Sequence, residues 1–180
     1  MTVWIALLRG LNLGRRTIPM PALRALVEAG GGEQVSTYIQ SGNVVFAHRG
    51  RGAAKLSRDL EQRITDSTGL DVPVLLRTKA ELDAVVARNP YQDDDPTKVH
   101  VLFLEGEPAK DALAAIDSGA FAPEELTLIG QEIYYHLPAG MGRAQLPPAV
   151  AKLRDPAIRR ASARNWRTVT VLADMAAAVV

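Results

Sequence analysis

Apolar and polar residues follow one another along this chain in short, distinct patterns, each of which predicts an element. Val3–Leu8 is apolar at every position, as expected of a strand buried on both faces. Residues 9–18 follow as a polar loop, longer than most connections. From Pro19 the period changes. Met20, Leu23, Leu26 and Val27 share one side of a helix that opens with prolines and stops at Gly30. Gln34–Gln40 and Asn43–Ala47 alternate as two strands that meet at Ser41-Gly42, which predicts a hairpin. Ala54–Thr68 is a second helix, with Leu56, Leu60 and Ile64 four apart and Gly69 closing it. Val72–Arg77 is a fourth strand. It contains Pro73, which cannot donate to a ladder and so belongs at a sheet edge.

The order is βαββαβ, the split βαβ or ferredoxin-like arrangement, whose strands lie 4-1-3-2 with the fourth at an edge. Pro73 agrees independently with that placement. Thr78-Lys79-Ala80-Glu81 has the form of a capping box and opens a second unit. Its first helix ends near Arg88, before Asn89-Pro90, and a polar loop follows. Val99–Leu104 reads as a strand, Ala109–Asp117 as a helix, and Leu126–Ile129 with Glu132–Leu137 as a hairpin turning at Gly130-Gln131. A helix over Pro148–Arg154 and a short extended piece near Ala161–Ala163 come next. The final segment alternates like a strand at Thr168–Leu172, but Asn165 as N-cap with Trp166, Val169 and Ala173 on one side favours a helix. The expected class is therefore α+β: two ferredoxin-like α/β sandwiches with mainly antiparallel sheets, divided into 1–77 and 78–180. No residue-level repeat is visible between them.

Composition narrows the function classes. The chain has 180 residues, 47% hydrophobic and 23% charged, with a net charge of +1. That is no generic nucleic-acid or membrane binder. The absence of cysteine excludes disulfides, thiolate catalysis and Cys-based metal centres, and suits a reducing cytoplasm. The N-terminus has an apolar run without a basic leader or cleavage signature, and no apolar stretch nears the ~20 residues that span a bilayer. A cytoplasmic protein with no membrane association is the expectation. Charge is unevenly spread. Residues 9–24 hold Arg9, Arg15, Arg16 and Arg24 with no acid, residues 143–167 are also basic, and residues 81–132 carry a net −9. Solvated faces of opposite sign are the bland explanation; a basic face for an anionic ligand is the sharper one.

The topology brings two polar segments to one sheet edge. The ends of strands 1 and 2, the start of strand 3 and the N-terminus of the first helix share it. "RGLNLGRR" (9–16) and "QSGN" (40–43) both fall there. Arg9, Gly10, Asn12, Gln40, Ser41 and Asn43 thus become candidate ligand-binding residues beside free helix amides, an arrangement suited to an anion. Arg143, Arg164 and Asn165 form a second polar set. Each has a structural alternative. Arg9 can cap an apolar strand with its head in water. Gly10, Gly14 and Gly42 suit turn geometry, and Asn12 and Asn43 form turns by bonding their own backbone. Ser41 is not in a nucleophile elbow. Asp93-Asp94-Asp95 lacks the glycine and distal glutamate of a calcium loop, and His48, His100 and His136 have no metal-ligand spacing, so no metal is assigned. Neither a cofactor nor a catalytic residue is identified.

The stretches "ALLRGLNLGRRTIPM", "TYIQSGNVVF", "DVPVLLRT", "GMGRAQL" and "ARNWRTVT" resemble, in order and spacing, the bacterial family catalogued as domain of unknown function 1697. The resemblance implies a duplicated ferredoxin-like architecture and supplies no function. Family members often read G-x-G-R-[ST]-K-L where this chain has Gly140–Leu146 as "GMGRAQL", so a hydroxyl and a lysine are missing here.

Three functions stay open. The first is binding of a small anionic ligand or nucleotide at the strand-1/hairpin edge, with or without catalysis. The second is RNA or DNA binding, for which strands 1 and 3 offer only Trp4 and Phe46 as aromatics. The third is a protein-interaction or homodimerisation module through the edge of strand 2, which carries no proline or lysine to blunt it.

Overall fold

The computed structural model describes residues 1–12, 14, 16–50 and 52–179; Arg15 of the basic stretch lies outside them. It contains two four-stranded antiparallel sheets. The first is built from β1 (Thr2–Leu8), β2 (Glu33–Tyr38), β3 (Asn43–His48) and β4 (Val74–Thr78), with α1 (Met20–Ala29) and α2 (Ala53–Thr68) in the two crossovers. Its order is β2-β3-β1-β4, the 4-1-3-2 arrangement. Trp4, Ala6, Leu8, Val44, Phe46, Val74 and Leu76 face Leu23 and Val27 of α1 and Leu56, Leu60 and Ile64 of α2 in one core. The alternate residues Ile5, Leu7, Val45 and Leu75 are buried as well, which is why β1 is apolar throughout.

The second sheet contains β5 (Val99–Phe103), β6 (Glu125–Ile129), β7 (Glu132–His136) and β8 (Ser162–Asn165), in the order β6-β7-β5-β8. Leu104, Ile133, Tyr135 and Leu137 pack with Leu146 and Val150 of α4 (Leu146–Ala151) and Ile158 of α5 (Pro156–Arg159). α3 (Lys79–Ala87) follows β4 directly, and α6 (Trp166–Ala177) follows β8 directly. The capping box is present, since the Glu81 carboxylate accepts from the Thr78 amide at 2.7 Å and the Thr78 hydroxyl accepts from the Glu81 amide at 3.3 Å. Asn165 caps α6 by accepting from the Thr168 amide at 2.8 Å. The chain forms two compact units, one of Met1–Ala84 with Thr170–Val180 and one of Val85–Val169.

Four local expectations are corrected. Ala109–Asp117 is not a helix. Its amides bond three residues back (Ala112 to Ala109, Ala114 to Asp111, Ile116 to Leu113), and a 3-10 turn, Ser118–Phe121, follows with Asp117 accepting from Gly119. The bonds three residues back make successive tight turns, and the Asp117 carboxylate on the Gly119 amide carries the chain into the 3-10 segment. α4 begins two residues earlier than expected, because prolines in a first turn remove only amides that a helix leaves unbonded. Pro73 lies just outside β4, still on the edge, with its carbonyl accepting from the Arg9 amide at 2.9 Å. The first hairpin turns over four residues, Ile39 to Gly42, rather than at Ser41-Gly42 alone.

Pairing register reveals the repeat that the sequence conceals. Trp4 lies opposite Phe46 and Thr78, and His100 opposite Tyr135 and Asn165. On that alignment Arg77 corresponds to Arg164, both buried, and Asn43 to Glu132, also both buried. Arg77 with Arg164 and Val3 with Val99 are identities too sparse for a search for repeated letters to find. No helix among the described residues is long and apolar enough to cross a membrane.

Candidate functional site

The last turns of β1 reach an edge that the following loop and the first hairpin enclose. The Leu8 amide donates to the Gly42 carbonyl at 2.9 Å, which locks the hairpin turn to the strand end. Asn12, at a left-handed φ of 57°, then clasps the loop. Its backbone amide donates to the Arg16 carbonyl at 2.7 Å, and its Oδ1 accepts from the Ile18 amide at 2.9 Å. Its Nδ2 donates to the carbonyls of Ile18 and Gln40. Asparagine suits both tasks, because it tolerates positive φ and offers a donor and an acceptor within one side chain.

Inside this clasp is a cleft of about 410 Å³. Asn12, Thr17 and Gln40 supply its polar wall; Ile18, Pro19, Met20 and Pro21 supply the apolar one. The volume falls in the range of small-molecule sites. No charged side chain lines it among the described residues. The start of α1 contributes less than a typical helix N-terminus. Pro19 and Pro21 have no amide, and Leu23 donates to Pro19 at 3.0 Å, which leaves the amides of Met20 and Ala22 outside the helical ladder.

Positive charge stands nearby. Arg16 precedes Thr17 and donates to the Asp71 main-chain carbonyl, while Arg24, one turn beyond Met20, donates to the Thr37 hydroxyl at 3.0 Å. Both acceptors are neutral oxygens.

The structure distributes the expected site residues unevenly. Asn12 and Gln40 meet at the cleft. Arg9 is exposed beside it but is not among the lining residues. Gly10 has φ 67° with open space where a side chain would go, so it serves the loop's path. Asn43 is completely buried on the face of the sheet opposite to Val44 and Phe46, and its Nδ2 donates to the Tyr38 carbonyl (3.1 Å) and the Ser41 hydroxyl (2.9 Å). Asn43 and Ser41 are therefore turn chemistry. Thr17 and the Pro-Met-Pro stretch were missed; the signal for them was two prolines flanking the helix start.

Arg143, Arg164 and Asn165 belong to the second unit. Arg164 is buried in β8 and donates to the Ser162 hydroxyl and the Ala163 carbonyl, each at 2.8 Å; burial pulls its pKa down to about 10. Burial likewise lowers the pKa of His100. Arg143 sits exposed in the turn after Gly140. In the altered "GMGRAQL" segment, the amides of Gln145 and Leu146 donate to the Glu124 carboxylate at 2.8–3.1 Å. The chain's own anion already occupies the start of α4. Glu124→Ala is expected to lower stability by about 1–2 kcal/mol, with Glu124→Gln between it and the parent, measured by urea denaturation. Equal midpoints for all three would make the carboxylate dispensable.

Two further findings bear on the other readings. Trp4 and Phe46 lie in the core beneath the helices, so neither is a stacking platform for bases. The edge of β2 is interrupted between Glu33 and Ser36, with Gln34 at φ 52°, and such a bulge twists an edge away from further pairing. Among the described residues no cluster of three His, Asp or Glu side chains is placed to hold a metal ion.

With this geometry in hand, comparison with known proteins adds family and fold. No curated protein matches the chain. Among solved structures it is similar to a conserved bacterial protein from Streptococcus pneumoniae, 24% identical, with a TM-score of 0.81, covering 98% of this chain and 99% of the other. At that identity the likeness speaks for the fold alone. The model of the family described as "protein of unknown function (DUF1697)" matches residues 1–134, and the chain belongs to that family.

Proposed function

We propose that the protein binds a small anionic ligand of nucleotide size at the edge formed by the end of β1, the first hairpin and the start of α1. The observation that carries this reading is the cleft of about 410 Å³ held open by Asn12 between loop and hairpin. The arginines around it supply the sign of the charge, since Arg16 and Arg24 are anchored by neutral acceptors. Arg9 stands at an exposed position at the start of the same loop. No catalytic group is assigned, and the reading is one of binding.

A thermal-shift titration with sodium phosphate, citrate and nucleoside monophosphates tests it, because a ligand that binds the native state raises the melting temperature with concentration. The expected result is a rise at low salt that shrinks at high salt. The rise should be several-fold weaker in Arg9→Ala and Arg24→Gln proteins whose own melting temperatures stay near the parent's. No shift with any of these anions would overturn the proposal.

A further inference from the structure

We infer that the cleft accepts the heterocyclic base of a nucleoside phosphate and that Gln40 reads the base's hydrogen-bonding edge. The inference rests on the anion-binding reading above and assigns a part of the ligand to each part of the site.

The two units provide an internal comparison. By register, Tyr38 and Asn43 correspond to Ile129 and Glu132. The second unit joins those positions with two residues, Gly130-Gln131, the minimal hairpin turn. The first unit uses four. The extra length includes Ile39 at φ 47°, a β-branched residue in the left-handed region, with about half of its surface (51%) exposed. Burial does not account for that strain, and strain of this kind gathers at functional positions. What the longer turn achieves is to set Gln40 in the wall of the cleft, its carbonyl held by Asn12.

The chemistry of the walls then selects the occupant. Enclosing a phosphate or carboxylate among Ile18, Pro19, Met20 and Pro21 would strip its water without a compensating charge. A flat, neutral ring suits these surfaces. The Gln40 carboxamide and the Thr17 hydroxyl make no hydrogen bond to any described residue, so both are open to a ligand. A carboxamide presents a donor and an acceptor side by side, the pattern that pairs with a nucleobase edge. The phosphate remains outside, in the field of Arg16 and Arg24.

Isothermal titration with adenosine, guanosine, cytidine and uridine monophosphates, ribose 5-phosphate and inorganic phosphate tests the assignment. At least one nucleoside monophosphate should bind about tenfold or more tighter than ribose 5-phosphate, and the four should differ among themselves. Gln40→Ala should erase the differences between bases and leave ribose 5-phosphate within about twofold, as expected for an exposed side chain that holds nothing in the fold. Arg24→Gln should weaken all phosphates by one common factor. Equal binding of ribose 5-phosphate and all four nucleotides would overturn the base assignment while leaving the anion site standing. Unchanged base discrimination in a folded Gln40→Ala protein would overturn the role of Gln40. Failure of every compound, inorganic phosphate included, would remove the anion site and this inference with it.

Discussion

Gly42→Ala is expected to lower stability by roughly 2–4 kcal/mol, far more than the same change at Gly130. Both glycines lie in the left-handed region, at φ 76° and 61°, so both substitutions carry a backbone cost of about 1 kcal/mol. They differ in surroundings. A Cβ at Gly42 would lie 2.8 Å from Leu8 Cβ and 3.1 Å from Leu11 Cδ2, whereas at Gly130 it would meet nothing within 4 Å. The Leu8 Cβ sits against the main chain and cannot swing away. Nor can the turn move easily, because the Gly42 carbonyl accepts from Leu8. Urea denaturation of the two variants checks this directly. Equal losses at Gly42 and Gly130 would mean that the turn relaxes and that the close packing of β1 against the hairpin has little rigidity.

Asn43→Ala should cost about as much, roughly 2–4 kcal/mol, for a different reason. Asn43 is wholly buried, and its amide group satisfies the Tyr38 carbonyl and the Ser41 hydroxyl. Alanine leaves that carbonyl without its partner and opens a void where repacking is limited. Ser41→Ala, at a half-buried position, should cost under about 1 kcal/mol, since water can replace the lost partner. The pair also separates structure from binding. A folded Asn43→Ala protein with near-parental stability and no response to nucleotides would return Asn43 to the ligand site; a large loss of stability keeps it in the turn.

The contrast between Asn43 and Gln40 shows how much of the site was legible. Both flank Ser41-Gly42, and topology alone brings both to the edge. Strand parity already held the difference, because Asn43 immediately precedes Val44, whose side chain faces α1 and α2. Asn165 was legible as a cap, but Arg143 was harder, since its polarity does not say whether it serves a site or stands in a turn, as it does. Glu124 had no local signal at all, since the amides it holds are 21 and 22 residues away.

Sequence by itself determined the order of elements and the sheet's strand order in the first unit, along with the edge position of Pro73 and both capping motifs. These rest on spacing within a few residues: apolar periods of two or three to four, a proline, a hydroxyl three residues before a glutamate. Tertiary structure alone decided which polar groups are already engaged and which remain open. It assigned Asn12 to a clasp on Gln40, 28 residues distant, and left Thr17 and the Gln40 carboxamide facing a cleft. It also replaced the helix expected at 109–117 with tight turns whose start is held by Asp155, 46 residues on. Hydrogen-bond partners at such separations are set by how sheets and loops pack, and no local pattern encodes them.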